Sequence, residues 1–494
     1  MIDSLFLAFQ TILSSPYIIT LIFASVLSGV IIGVLPGLGV IFGIVVLLPF
    51  TLQLEPEVGI VSLMSIFVGS AIGGGLTASL IGIPGTPMAV ATLLDAHPLV
   101  KKGNTNYAIG LVIFSSIIGG IFSALVLAFI SPYLAEIALN FGPSEYVLLI
   151  TLGLTTVAFV SGKSIFKGLI AGLIGLSIAT IGTDLATAET RFTFGIVELS
   201  AGFNLIAVLL GLFAIPEVIS LLENKDKTFA LSKEKIKPVL PNYKHLKTYW
   251  VSYLRSSTIG TAVGALPGAG ADIGSFMAYS QAKRFSKNPN NFGKGDPEGV
   301  IASESANNAV CGGALIPTLT LGIPGDAATA IIVGVLYMHG LAPGPELFLT
   351  QSNTLAFIYA GLILAYLAIF VILMLFISPI LSFLRLPKTQ MIPTILLLCF
   401  LGVWAIQTSY FDLWTMLGFG FLSYFLKKMD YPLPPIILGF ILGPLFEQNL
   451  RRAMTISDGD ILFFLNRPYT LGIFALLILV LWGVYSALKI NDKK

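Results

Sequence analysis

GVLPGLG at Gly33–Gly39 returns as GALPGAG at Gly264–Gly270, 231 residues later. GIPG at Gly82–Gly85 returns 240 residues on at Gly322–Gly325, and FISP at Phe129–Pro132 returns 247 residues on at Phe376–Pro379. Three short matches in one order, with slowly drifting offsets, mark a duplicated unit. Proline inside a helix removes a hydrogen bond and clashes with the preceding turn, and an adjacent glycine adopts backbone angles closed to other residues. Leu35-Pro36-Gly37, Ile83-Pro84-Gly85, Leu266-Pro267-Gly268 and Ile323-Pro324-Gly325 therefore predict four helix breaks, paired by the duplication.

Around these breaks, 56% of the 494 residues are hydrophobic and 11% are charged, against roughly 25% charged in a soluble domain. That excludes a water-soluble globule. Apolar runs long enough to span a bilayer lie near 16–35, 58–80, 106–130, 144–161, 164–183, 203–222, 299–323, 354–383, 390–406, 412–426, 432–448 and 468–488. Pieces at 38–52, 87–96, 250–266, 269–282 and 327–339 are too short or interrupted and read as half-helices or re-entrant hairpins. The expected fold class is an all-α integral membrane protein with about 12 transmembrane helices plus broken, re-entrant helices. The expected organisation is a first repeat over 1–222, a basic linker over 223–249, a second repeat over 250–466, and a further helix and tail over 467–494. Met1–Ser4 carries no Lys or Arg, so a cleavable leader is not expected.

Several function classes drop out. Net charge is +2, with Lys and Arg in short clusters between apolar runs, so nucleic acid is not an expected partner. Cys311 and Cys399 sit in apolar sequence and His97, His245 and His339 are scattered, which indicates neither a disulfide framework nor a zinc site. No HExxH, GxSxG or Walker A sequence occurs, so an enzyme is not expected. Gly268, Gly270 and Gly274, like Gly37, Gly39 and Gly43, mimic a dinucleotide fingerprint at the wrong spacing; close helix packing explains them better.

Charge orients the copies. In the first, loops 51–57 and 131–143 lack Lys and Arg, while 97–105 has Lys101 and Lys102 and 161–168 has Lys163 and Lys167. In the second the matching loops reverse: 283–297 and 384–389 are basic, while 340–353 and 407–411 are not. By the positive-inside rule the copies form an inverted-topology repeat, with the N-terminus outside, the C-terminus inside and the lysine-rich linker cytoplasmic. Arg451, Arg452 and Arg467 disagree, because they lie in a loop expected outside.

Unpaired backbone in hydrocarbon must be buried in protein or line a wet cavity. In transporters the positive ends of half-helices face anionic substrate groups. Substrate contacts are accordingly expected from Pro36, Gly37, Gly39, Pro84, Gly85, Thr86, Pro267, Gly268, Gly270, Ser303, Asn307, Asn308, Pro324 and Gly325, with the glycine main chain foremost. Asp272 and Asp326 are the expected ion-coupling residues, and Glu304 is a further ionisable group in apolar sequence. Plainer readings stay open: the breaks as packing kinks, Thr86 and Asp326 as helix N-caps, and Asp272 and Glu304 as interfacial residues beside the 283–297 loop. Arg255 is the only cation near a break and fits a cytoplasmic helix end equally well.

The runs GALPGAGADIGSFMAYSQAKRFSK at Gly264–Lys287, SESANNAVCGGALIPTLTLGIPGDAATA at Ser303–Ala330 and MHGLAPGPELF at Met338–Phe348, with GVLPGLG and GIPGTP in the first half, resemble the large membrane subunit of tripartite tricarboxylate transporters, TctA-like. The resemblance covers essentially the whole chain. It implies ion-gradient-driven uptake of citrate-like or related organic carboxylates across a bacterial inner membrane, with a periplasmic solute-binding protein and a small membrane subunit as partners. No cofactor is implied beyond Na+ or H+ as coupling ion. A passive channel and a carrier independent of any binding protein are the rival classes.

Overall fold

The computed structural model describes residues 2–160, 164–184, 186–223, 236–267, 270–385, 388–460, 464 and 467–478. Most of them are helical; a two-residue ladder, Gly182–Thr183 against Thr190–Arg191, is the only sheet among the described residues. Among the described residues six helices are long and apolar enough to cross a membrane: Pro16–Val34, Pro56–Ile81, Thr105–Ala138, Leu205–Glu223, Ser352–Ser382 and Gln390–Gln407. The other expected crossings are shorter or more polar, namely Pro143–Val160, Ile165–Ala179, Pro297–Leu321, Tyr410–Lys428 and Pro434–Ile456. Of the last expected crossing, Pro468–Ile478 is described.

The expected half-helices form as Gly39–Thr51, Val90–Lys101 after a 3-10 turn at Pro87–Ala89, Gly270–Phe285 and Ala327–Met338. One expectation needs correction. The piece at 250–266 is the inner part of a continuous 22-residue helix, Tyr243–Gly264, whose N-cap Asn242 accepts from the His245 amide. Lys244 and Lys247 lower the hydropathy of its first turns and hide the helix from an apolar-run reading.

The duplication extends to individual packing contacts. A Cβ on Gly29 would stand 2.4 Å from the Ile66 carbonyl oxygen, and one on its counterpart Gly260 would stand 2.4 Å from the Ala306 carbonyl oxygen. Pro16–Val34 thus packs on Pro56–Ile81 as Tyr243–Gly264 packs on Pro297–Leu321, backbone to backbone across small residues. Both longer partners begin with proline in the first turn, where its missing N–H is harmless. They end at Gly82 and Gly322, with φ of 71° and 69°, a left-handed cap that glycine adopts without strain.

The halves interlock through their FISP-bearing helices. Thr105–Ala138 lies against Pro297–Leu321 so closely that Ser305 Oγ donates to the Ser115 carbonyl at 3.2 Å, and Ser352–Ser382 lies against Pro56–Ile81. At one place Thr354 donates to Glu57 at 2.6 Å, joining loop 51–57 to the start of Ser352–Ser382. Elsewhere Lys102 Nζ donates to the Lys294 carbonyl at 2.6 Å, joining loops 97–105 and 283–297. Asp95 ties down that second junction: it accepts from the amides of Gly293, Gly295 and Asp296 and from the Tyr279 hydroxyl.

Two of the three discordant arginines are neutralised. Arg451 reaches Asp184 and Glu447, each at 2.7 Å, and Arg191 joins the same pair of acids. Arg467 reaches the buried Glu145 at 3.0 Å. The Ala186 amide first, then Arg451 and Arg191, hold the Asp184 carboxyl below its ordinary range.

Candidate functional site at the junction of the halves

Pro297–Leu321 is covered on every side, so its polar side chains face protein. Ser303, Glu304, Ser305, Asn307 and Asn308 are all fully buried. Asp296 caps the helix by accepting from the Glu298 amide at 2.9 Å. Arg255 pairs with Glu298 at 3.5 Å near that start, as a helix-end residue would.

Three helices of the first half converge on Glu304. Its Oε1 accepts from Thr92 Oγ1 at 2.5 Å, on Val90–Lys101. Its Oε2 accepts from Ser116 Oγ at 2.7 Å, on Thr105–Ala138, and from Asn308 Nδ2 at 3.4 Å. The third helix contributes an absence: a Cβ on Gly75 of Pro56–Ile81 would stand 2.4 Å from Oε1. Among the described residues no Lys, Arg or His pairs with Glu304, so its partners are all neutral. A buried charge without a partner costs several kcal/mol. A positive charge taken up at Glu304 would offset that cost. Glu304 is enclosed by protein, about two turns inside Pro297–Leu321.

Other polar atoms at the junction have no hydrogen-bond partner. These are both amide atoms of Asn307, the Asn308 Oδ1 and the Thr86 Oγ1. Thr86 packs on Gly74, whose Cβ would stand 2.2 Å from the threonine oxygen, one residue from the glycine facing Glu304. The duplication is broken here. The first-half positions 240 residues before Glu304, Asn307 and Asn308 hold Met64, Phe67 and Val68, all buried. One shared backbone arrangement thus carries a carboxylate and two amides at these three positions in one copy only.

The breaks dock in pairs within each half. Gly85 lies against the Gly33 carbonyl and Gly74, and Gly325 lies against the Gly264 carbonyl and Ala314, the same contacts shifted by the repeat. Pro84 is half-buried and Pro324 buried. Across the halves, the Pro87–Ala89 turn touches Gly270–Phe285 and Pro297–Leu321, while Gly39–Thr51 touches Ala327–Met338. The breaks thus belong to one contact network.

Their amides are less free than the sequence suggests. Gly85 N–H donates to the Gly74 carbonyl at 3.3 Å, Gly325 N–H to Thr318 Oγ1 at 3.4 Å, and Asp326 N–H to Thr329 Oγ1 at 2.9 Å. Asp326 forms a reciprocal capping box with Thr329. Ser303 donates to Gly299 and Val300 in its own helix. Pro36, Gly39 and Pro267 are half-buried and Gly37 is exposed, with open space around Gly37 and Gly39. Gly268 lies outside the described residues, as do the side chain of Asp272 and the surroundings of Gly270, which begins a helix.

Residues 19–438 match the tripartite tricarboxylate transporter TctA family. The chain belongs to this family. It is 34% identical over 475 residues to an uncharacterized 52.8 kDa protein of Agrobacterium vitis from the TAR-I ttuC' 3' region, covering 96% of this chain and 94% of that one. It is also 38% identical over 209 residues to a protein of the same organism from the TAR-II ttuC' 3' region, covering 42% of this chain and 86% of that one. A TctA-family chain is the large subunit of a tripartite transporter, a multi-pass membrane protein. In this TctA-family chain Thr92, Ser116 and Gly75 have no sequence signature. Only the apolar setting of Glu304 hints at the site they build.

Proposed function

We propose that this chain imports an organic carboxylate, tricarboxylate or related, across a bacterial inner membrane by symport with H+ or Na+, and receives it from a periplasmic solute-binding protein beside a small membrane subunit. The N-terminus lies on the periplasmic side and the C-terminus in the cytoplasm. The two halves are an inverted repeat. Reciprocal cross-half pairing supports that orientation: loop 51–57 meets the start of Ser352–Ser382 and loop 97–105 meets loop 283–297, so a loop lacking Lys and Arg finds another such loop and a basic loop finds a basic one.

The observation that carries the reading is Glu304, a fully buried carboxylate bound only by neutral donors where both halves meet. In this reading it takes the coupling positive charge. Asp326 caps Ala327–Met338 instead. Thr86, Asn307 and Asn308 are the substrate-facing groups, since they keep polar atoms available, and the Gly85 and Gly325 backbone shapes the path. Reconstituted vesicles holding this chain with both partner proteins are expected to take up a carboxylate from a panel of di- and tricarboxylates. Omitting the binding protein is expected to abolish uptake; full uptake by this chain alone would identify an autonomous carrier.

A further inference from the structure

A second polar site lies away from Glu304, beside the Ile323-Pro324-Gly325 break. A pocket of about 260 Å³ opens there. Its wall includes Gly322 and Ile323 of the break, Tyr146, Tyr337, and Gln448 and Arg452 one turn apart on Pro434–Ile456. The wall is held from behind: Gly344 N–H donates to the Leu319 carbonyl at 2.9 Å, which fixes the neighbouring loop to the end of Pro297–Leu321. The volume falls below the about 300 Å³ at which pockets for drug-sized ligands begin. It suits a smaller molecule.

Arg452 is the unusual element. Four arginines occupy this region, Arg191, Arg451, Arg452 and Arg467, and three of them are paired with Asp184, Glu447 or Glu145. Among the described residues Arg452 makes no ion pair and no hydrogen bond, though Glu346 shares the pocket lining. Insertion opposes positive charge in a loop expected outside, so an uncompensated arginine there calls for a reason. A guanidinium is a rigid fork matched to a carboxylate, and the Gln448 amide and two tyrosine hydroxyls add neutral donors around it.

We infer that this pocket is a receiving site, in which one carboxylate group of a small organic di- or tricarboxylate pairs with Arg452 before the substrate passes to the buried junction. The inference rests on the carboxylate-carrier reading. Glu346, facing the same space, admits the anion only in the orientation that keeps its other charges away.

The test uses the full chain with Gln448→Cys labelled by N-ethylmaleimide; Cys311 and Cys399 are buried and stay unlabelled. Citrate, malate and succinate are the probes. At least one is expected to slow labelling, with Arg452→Gln raising the half-protecting concentration about tenfold, as loss of a charge-assisted hydrogen bond implies. Arg452→Lys is expected to fall between them and Glu346→Gln to lower that concentration. Uptake of the same probes by the wild-type protein with its partners is measured alongside. Uptake without protection, or protection equal in Arg452→Gln, overturns the receiving site. Protection without uptake overturns the carrier reading, and with it the passage to the junction, and leaves carboxylate binding at Arg452 standing.

Discussion

Replacing Glu304 by Gln keeps the side-chain shape and removes only its charge-binding capacity, and the Thr92 and Ser116 hydroxyls can rotate to suit an amide. Glu304→Gln is expected to insert normally and to lose at least about 100-fold of gradient-driven accumulation, roughly the 2.7 kcal/mol that two tenfold steps represent. Exchange of labelled for unlabelled substrate, which needs no net coupling, is expected to survive better; equal loss of both would assign Glu304 to substrate binding instead. Gly75→Ala probes the same site from the neighbouring helix. Its methyl would meet Oε1 at 2.4 Å, an overpacking that typically costs about 1–3 kcal/mol. A lower melting temperature and reduced uptake should appear together.

At the scale of elements, the breaks and the packing stripes were legible because the chain states them twice. Gly85→Ala would drive a methyl to 2.2 Å from the Gly33 carbonyl, and Gly325→Ala one to 2.6 Å from the Ala314 Cα. Neither neighbour is a side chain that can swing away. Both variants are expected to reach the membrane and to lose uptake, and wild-type transport by Gly325→Ala would count heavily against the broken helices as the transport path. The Glu304 cluster was not legible, since Thr92 and Ser116 stand 212 and 188 residues away in sequence and hydropathy carries no information about which helices meet. Nor could proline and glycine spacing show that Thr318 and Gly74 would take up the freed amides. The Asp184 hairpin offers a pH test with a definite sign. Its carboxyl is held below the ordinary range by the Ala186 amide and two arginines, so its contribution is present above that range and lost as pH falls through the lowered value. Asp184→Asn should lower the melting temperature at neutral pH and match the wild type once acid has protonated both; an unchanged difference at low pH would contradict this.

For the whole molecule, two halves of like backbone and unlike chemistry meet across Pro297–Leu321, and the proposed inverted orientation would put their equivalent loops on opposite faces. A membrane-impermeant thiol reagent applied from outside should label Glu57→Cys in intact cells and Lys102→Cys only after permeabilisation. Labelling of both from one side would remove the inverted repeat. The central claim is that a buried, neutral-partnered carboxylate at the junction couples an ion gradient to carboxylate movement. Its most direct test is uptake into vesicles carrying the chain with its two partner proteins, with Na+ and H+ gradients imposed separately, for wild type and Glu304→Gln. The account predicts that one gradient alone drives accumulation by the wild type and neither does so for the variant. Accumulation by Glu304→Gln at the wild-type level, or carboxylate current in the wild type indifferent to both gradients, would contradict it.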